Sequence, residues 1–127
     1  MDAGRPPGGG VAVPFVLQHV IAVEYAPTEG SLGSALPTLK RRLTVLGRDA
    51  DLLRVGVTSD VARRAGEHRG YGFDWFMVLW ETTSRDRAVE AEAALIEHAR
   101  WKGLPLAGDR RGGVRGAGPF AVYVAGQ

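Results

Sequence analysis

Apolar residues occur along the chain in short blocks with two different spacings. Dense blocks of Val, Ile, Leu and aromatic residues predict strands at residues 15–25, 52–57, 73–83 and 119–125. Apolar residues three or four positions apart predict helices at residues 36–47, 61–68 and 85–102, each followed by or ending near a glycine. This alternation of strands and helices indicates one small α/β domain over residues 14–127. Residues 1–13 are rich in glycine and proline and are predicted to form a flexible tail.

Composition narrows the class of protein. The chain has 127 residues, of which 45% are hydrophobic and 24% charged, enough for one domain with a buried core. It contains no cysteine, which excludes disulfides, thiolate chemistry and cysteine-based zinc sites. No apolar run approaches the ~18–20 residues that span a bilayer, and the first residues lack the features of a signal peptide. We therefore expect a cytoplasmic protein with no membrane partner.

Positive charge is unevenly distributed along the chain. The net charge is only +2, yet most basic residues fall into two clusters. The first contains Lys40, Arg41, Arg42 and Arg48, and the second contains Arg100, Lys102, Arg110, Arg111 and Arg115. Two basic clusters on a nearly neutral domain suit a polyanionic partner. Each cluster taken alone is explained equally well as a solvated face.

Two predicted helices carry polar residues on their apolar faces. On the long helix, Glu92 lies within the apolar stripe, whereas Glu90 and Glu97 lie on the opposite side. On the short helix, His68 lies on the inner face, and Arg64 flanks it one turn earlier. An arginine, a histidine and a carboxylate that meet in one cleft would suit metal-assisted hydrolysis of a phosphodiester. The alternative is a structural ion pair between Glu92 and an arginine.

These positions, together with residues 54–58 (RVGVT), resemble the GIY-YIG nuclease family over residues 52–96. Gly56 matches the glycine of the family's Tyr-Ile-Gly motif, Arg64 follows it at the family spacing, and His68 follows one turn later. Glu92 precedes an apolar pair, as the metal-binding glutamate of the family does. The resemblance implies an α+β sandwich with a small, mainly antiparallel central sheet of three to four strands flanked by helices. The helix at residues 36–47 would be an insertion.

The resemblance also implies a function, a divalent-metal-dependent endonuclease acting on nucleic acid, with DNA favoured over RNA. Glu92 would hold one Mg²⁺ or Mn²⁺ ion, Arg64 would stabilise charge on the phosphate, and Tyr25 or His68 would help to activate water. A protein partner or a homodimer would supply specificity. The residues expected to contact nucleic acid are Arg54, Lys40, Arg41, Arg42, Arg110, Arg111 and Arg115.

Two departures from the family pattern leave two alternatives open. Arg54 stands where the family has a tyrosine, and the chain has no asparagine, although the family has one near its metal-binding glutamate. The first alternative is a catalytically inactive nucleic-acid-binding module on the same fold. The second is a cleft for a small anionic substrate, with Arg54 as a binding residue and the aromatic residues of 71–80 as walls. Those aromatic residues are more simply explained as the core of a central strand.

Overall fold

Four strands form one open sheet in the computed structural model, which describes residues 22–108 and 114–127. They are β1 (Ala22–Tyr25), β2 (Leu53–Thr58), β3 (Trp75–Thr82) and β4 (Phe120–Gly126), in the spatial order β1-β3-β4-β2. Strand β4 is antiparallel to β2 and β3, and β1 is parallel to β3. The predicted small, mainly antiparallel sheet flanked by helices is therefore confirmed. The predicted tail at residues 1–13 lies outside the described residues.

Three helices cover the two faces of the sheet: α1 (Leu32–Gly47), α2 (Val61–Gly70) and α3 (Arg85–Trp101). Helices α1 and α3 pack on one face, over residues such as Val55 and Val122. Helix α2 packs on the other face, where Ala65 belongs to a cluster with Phe76 and Tyr123. Because successive residues of a strand point to opposite faces, β4, which is buried along its length, contributes to both clusters. The last strand is therefore at the centre of the domain.

Helix α1 begins about one turn earlier than the sequence pattern predicts. Ser31 is its N-cap residue, and Pro37 lies inside the helix. A proline there removes one backbone hydrogen bond, but Leu32 and Ala35 are buried on the same face as Leu39. Burial of this additional turn outweighs the cost of the proline. The pattern indicates a later start because proline usually marks a helix boundary.

A bulge in β3 interrupts the alternation of its side chains between the two faces of the sheet. The pairing with β4 shifts between Val78 and Trp80, so Leu79 and Trp80 both belong to the core beneath α1 and α3. Simple alternation predicts that Trp80 shares a face with Phe76 and Val78, and this prediction is wrong. The Trp80 Nε1–H donates to the Gly30 carbonyl at 2.9 Å, which holds the loop before α1. Strand β3 is nevertheless an interior strand of the sheet, as predicted.

The segment after α3 extends the sheet beside the beginning of β2. The Leu53 N–H donates to the Pro105 carbonyl at 2.8 Å, and the Ala107 N–H donates to the Leu53 carbonyl at 2.6 Å. These bonds fix the direction in which the chain leaves α3. Among the helices of the described residues, none has the length and apolar character needed to cross a membrane.

Candidate active site

The turn between β2 and α2 places two of the predicted site residues against the sheet. Thr58 is buried, and its hydroxyl donates to the Asp60 carbonyl at 3.1 Å and accepts from the Asp60 N–H at 3.0 Å. Asp60 then caps the helix by accepting the Arg63 N–H at 3.1 Å. Because only two residues separate strand and helix, Arg64 and His68, one turn apart, are directed toward the sheet.

A buried histidine–tyrosine pair lies beneath α2. His68 is 2% exposed, and its Nδ1 lies 3.1 Å from the Arg64 carbonyl oxygen, which can only accept. Nδ1 therefore carries the proton, and Nε2 accepts a hydrogen bond from the Tyr123 hydroxyl at 3.2 Å. Burial is the main cause that lowers the pKa of His68 to about 4, and the charges of Arg54 and Arg64 act in the same direction. His68 is thus neutral at physiological pH, and Nε2 remains an acceptor.

Gly56 makes room for the Tyr123 ring. The two residues lie directly opposite each other in the β2–β4 ladder. A Cβ atom at Gly56 would lie 2.6 Å from Cζ and 2.9 Å from Cε2 of Tyr123, and closer still to its hydroxyl oxygen. Only glycine lets the phenol lie across β2 and reach His68. The glycine that carries the family resemblance therefore has a packing reason in this structure.

Three charged side chains act on the Tyr123 hydroxyl. Burial raises the pKa of Tyr123, and the charge of Glu92 adds to this increase. The charge of Arg64 and its polar contact with the phenol oppose the increase, as does the charge of Arg54. Charged groups on β2, α2 and α3 thus influence one hydroxyl of β4. Arg64 and His68 lie one turn apart on α2 beside this hydroxyl, and the charges of Glu92 and Arg54 act on it from α3 and β2.

Glu92 is half-buried on the side of α3 that also carries Ala88 and Ile96, both of which are buried. Val89, which the sequence pattern placed in the same stripe, is 44% exposed, so the stripe is narrower than predicted. The described residues contain no group of three or more His, Cys, Asp or Glu residues placed to hold a metal ion. An ion at Glu92 would have few protein ligands, and phosphate oxygens and water would complete its shell. Mg²⁺ accepts such a ligand set, so Glu92 fits a metal ion that binds together with a phosphate.

Two cavities open beside these charged groups. One, of about 450 Å³, lies between the β2–α2 turn and residues 114–116, and its basic lining consists of Arg63, Arg64 and Arg115. The other, of about 400 Å³, joins Arg54 and Arg100 to an apolar wall formed by Ile96, Leu104 and Leu106. Guanidinium groups in open cavities suit anionic ligands such as phosphate.

The guanidinium Nε atoms of Arg54 and Arg64 are buried and have no hydrogen-bond partner among the described residues. Arg64 Nε does lie 3.1 Å from the Glu67 Oε1 atom. That contact is an ion pair in which the N–H does not point at the oxygen. These buried Nε atoms are not accessible to a ligand, so contact with a phosphate would have to come from the other guanidinium nitrogens, on the side of each arginine that lines a cavity.

Tyr25 is not brought into this group. It lies on β1, at the edge of the sheet, with β3 between it and β4, and it is 57% exposed. The tyrosine that lies beside His68 is Tyr123, whereas the family resemblance suggested Tyr25 for the site. The apolar residues of the last segment predicted a strand but did not mark Tyr123 as a site residue. One feature of the sequence could have marked it: Tyr123 carries a hydroxyl in a strand that is otherwise apolar on both faces, and a buried tyrosine hydroxyl usually has a hydrogen-bond partner.

Arg42, one of the predicted nucleic-acid contacts, has a structural role. Its Nη1 donates to the Ala26 carbonyl at 2.7 Å, to the Thr28 hydroxyl at 3.0 Å and to the Leu79 carbonyl at 3.3 Å. Burial lowers the pKa of Arg42. The guanidinium thus ties the loop after β1 to β3.

The other predicted nucleic-acid contacts are distributed over the domain. Arg115 lies in the cavity beside Arg64. Lys40 and Arg41 lie on α1, across the sheet from α2. Arg110 and Arg111 fall outside the described residues. Comparison of the chain with protein-family models, with curated proteins and with solved structures finds no match.

Proposed function

We propose that this protein is a divalent-metal-dependent endonuclease of the GIY-YIG type, which hydrolyses phosphodiester bonds in nucleic acid, with DNA expected over RNA. The observation that supports this proposal most is the buried His68–Tyr123 pair beside Gly56, with Arg64 next to its hydroxyl and the charge of Glu92 acting on the same hydroxyl. A guanidinium, a carboxylate and a hydroxyl backed by a fixed acceptor are the groups that hydrolysis of a phosphodiester requires.

Each group has its own role in the proposed reaction. Mg²⁺ or Mn²⁺, when bound by Glu92 and phosphate oxygens, supplies the Lewis acidity that lowers the pKa of a water molecule. Arg64 donates to non-bridging phosphate oxygens and stabilises the charge that develops on them. The Tyr123 hydroxyl donates a hydrogen bond to His68 Nε2 and keeps its proton, so its oxygen can accept a hydrogen bond from the attacking water and orient it. The water oxygen bonds to phosphorus and gives up its proton to solvent. The P–O bond to the leaving oxygen breaks, and that oxygen takes a proton from solvent.

Phosphates on either side of the reacting one would lie in the two cavities. Arg115 lines one and Arg54 lines the other. Binding through such contacts falls steeply as salt concentration rises. A domain of this size would take its specificity from a protein partner or from a homodimer, and we place its activity in the cytoplasm.

The test is cleavage of duplex, single-stranded and branched DNA, and of RNA, with Mg²⁺ or Mn²⁺. Wild type should cut at least one of these substrates, and Glu92→Gln and Arg64→Ala should each lower the rate by about 100-fold or more. Arg69→Ala is the matched control, because it removes an exposed arginine from the same helix, and it should stay within a few-fold of wild type. Cutting that survives both Glu92→Gln and Arg64→Ala refutes the assigned site, and a wild type that cuts none of the substrates refutes the nuclease.

A second candidate function is favoured by the cavity between Arg54 and Arg100. Its volume of about 400 Å³ and its mixture of guanidinium groups and apolar wall suit a small anionic ligand. Native mass spectrometry of the purified protein would detect such a ligand, and Arg54→Ala should remove it. Binding of nucleic acid at low salt that is indifferent to chelator, with no cleavage, would instead identify an inactive binding module.

A further inference from the structure

A basic surface, separate from the candidate active site, lies where α1 and α3 pack side by side, across the sheet from α2. The Thr44 hydroxyl and His98 Nε2 are 2.8 Å apart and join the two helices. Burial is the main cause that lowers the pKa of His98, and the charges of Lys40 and Lys102 lower it further. Residues from the two basic clusters, which are far apart in the sequence, therefore meet around this histidine.

Trp101 is the most prominent residue of this surface. It is 77% exposed, more than any other large apolar side chain among the described residues. The Lys102 Nζ atom lies 4.8 Å from the centroid of its ring, and the His98 ring lies 6.1 Å away. An exposed indole with a cation next to it is the arrangement on which proteins stack the bases of single-stranded nucleic acid.

Cationic side chains outnumber acidic ones around Trp101, where Glu97, one turn earlier on α3, is an exposed carboxylate of the same helix. Lys40 and Thr44 lie one turn apart on α1, and the hydrogen bond of Thr44 to His98 shows that this side faces α3. Arg48 is the C-cap residue that directly follows the helix. Helix α1 contains no acidic residue. Within residues 22–108 and 114–127, Lys40, Lys102 and Arg48 form no ion pair with a carboxylate. These cations are therefore available to a polyanion.

We infer that this surface, formed by Lys40, Thr44, Arg48, His98, Trp101 and Lys102, binds single-stranded nucleic acid. One base stacks on the Trp101 indole, and the three cations contact the phosphates that flank it. A single strand fits because only an unpaired base offers its whole face to a side chain. The inference goes beyond the proposed cleavage and does not require it, because none of these residues belongs to the group around Tyr123.

Tryptophan fluorescence provides a direct readout. Trp80 is 3% exposed and hydrogen-bonded, and Trp75 is half-buried against the core, so Trp101 dominates the emission that a solvent quencher can reach. The full chain is titrated with oligodeoxythymidylate at low salt in the presence of a chelator. Binding should quench the accessible emission, and Trp101→Ala should weaken affinity by about 5- to 100-fold. Trp101→Phe should retain most of the affinity because the smaller ring still stacks.

Two matched controls separate stacking and charge from general effects. Val45→Ala removes an exposed apolar side chain from another side of α1 and should leave affinity unchanged. Lys102→Ala should reduce the slope of log affinity against log salt by about 0.7. Arg87→Ala removes an equal charge from the other end of α3, where Arg87 is paired with Glu90, and should leave the slope unchanged.

Equal affinity of Trp101→Ala and wild type for the oligonucleotide overturns the inference. The inference is also overturned if the protein binds a duplex of the same length more tightly than the single strand and Trp101→Ala leaves both affinities unchanged. Concentration-dependent quenching without nucleic acid, lost in Trp101→Ala, would assign the surface to a contact between two copies of the chain and would also reject the inference. Repeating the titration with Glu92→Gln separates the two proposals, because binding at Trp101 should persist whether or not the wild type cleaves.

Discussion

Replacing Gly56 by alanine should destabilise the domain and disconnect the candidate site. The new methyl group would lie 2.6 Å from Cζ and 2.9 Å from Cε2 of Tyr123, a residue that is 1% exposed. Strand β4 cannot move aside easily, because it is hydrogen-bonded to β2 and to β3 along its length. The phenol ring must shift instead, and it then loses its 3.2 Å hydrogen bond to His68.

The expected loss of stability has two parts. Forcing an extra methyl group into a packed interior costs about 1–3 kcal/mol. Leaving His68 Nε2 buried without its donor adds about 1–3 kcal/mol. The sum is a large fraction of the roughly 5–15 kcal/mol that stabilises a typical domain. For a chain of this length, each kcal/mol lowers the Tm by roughly 3–6 °C.

Thermal and urea unfolding followed by circular dichroism measure this loss. Gly66→Ala is the matched control, because a Cβ there meets nothing within 4 Å and the residue lies inside α2. That change should stabilise the protein by about 0.5–1 kcal/mol. Tyr123→Phe removes the atom closest to the new methyl group, so Gly56→Ala should cost less in that background. A Gly56→Ala protein as stable as wild type, or an equal cost in both backgrounds, would refute the packing explanation.

Three further predictions concern stability. Stability should fall as pH decreases from 6.5 toward 4, because His68 has a pKa of about 4 when folded and 6.5 when unfolded, so the unfolded state binds the proton first. The loss, on the order of 3 kcal/mol, is complete near the lower value, and urea unfolding at several pH values should show a flatter profile for His68→Gln. An unchanged profile contradicts the assignment. Arg42→Ala should cost about 1–2 kcal/mol by loss of its partly buried hydrogen bonds, whereas Arg41→Ala should stay within about 0.5 kcal/mol in the same assay. Similar losses in both variants would show that Arg42 is not structural. Ser84→Ala should cost about 1 kcal/mol because the Ser84 side chain accepts the Arg87 N–H at the start of α3, and an unchanged Tm argues against the cap.

The sequence alone predicted the helices α2 and α3, the strands and the burial of particular side chains. These features depend on local spacing, since residues one turn apart share a helix face and alternate residues share a strand face. The positions of His68 on an inner helix face and of Glu92 in an apolar stripe followed from this spacing. Local spacing is therefore sufficient to select His68 and Glu92 as candidate site residues.

The tertiary structure decided which of these faces meet. Tyr123 joins His68 only because β4 inserts between β3 and β2, an order that the spacing of apolar residues does not encode. Arg42 and Lys40 look alike in the sequence, yet one is held by backbone carbonyls and the other lies near His98 on a basic surface. Strand order and helix contacts depend on pairings between distant residues, so they arise from the packing of the whole chain and not from any local pattern.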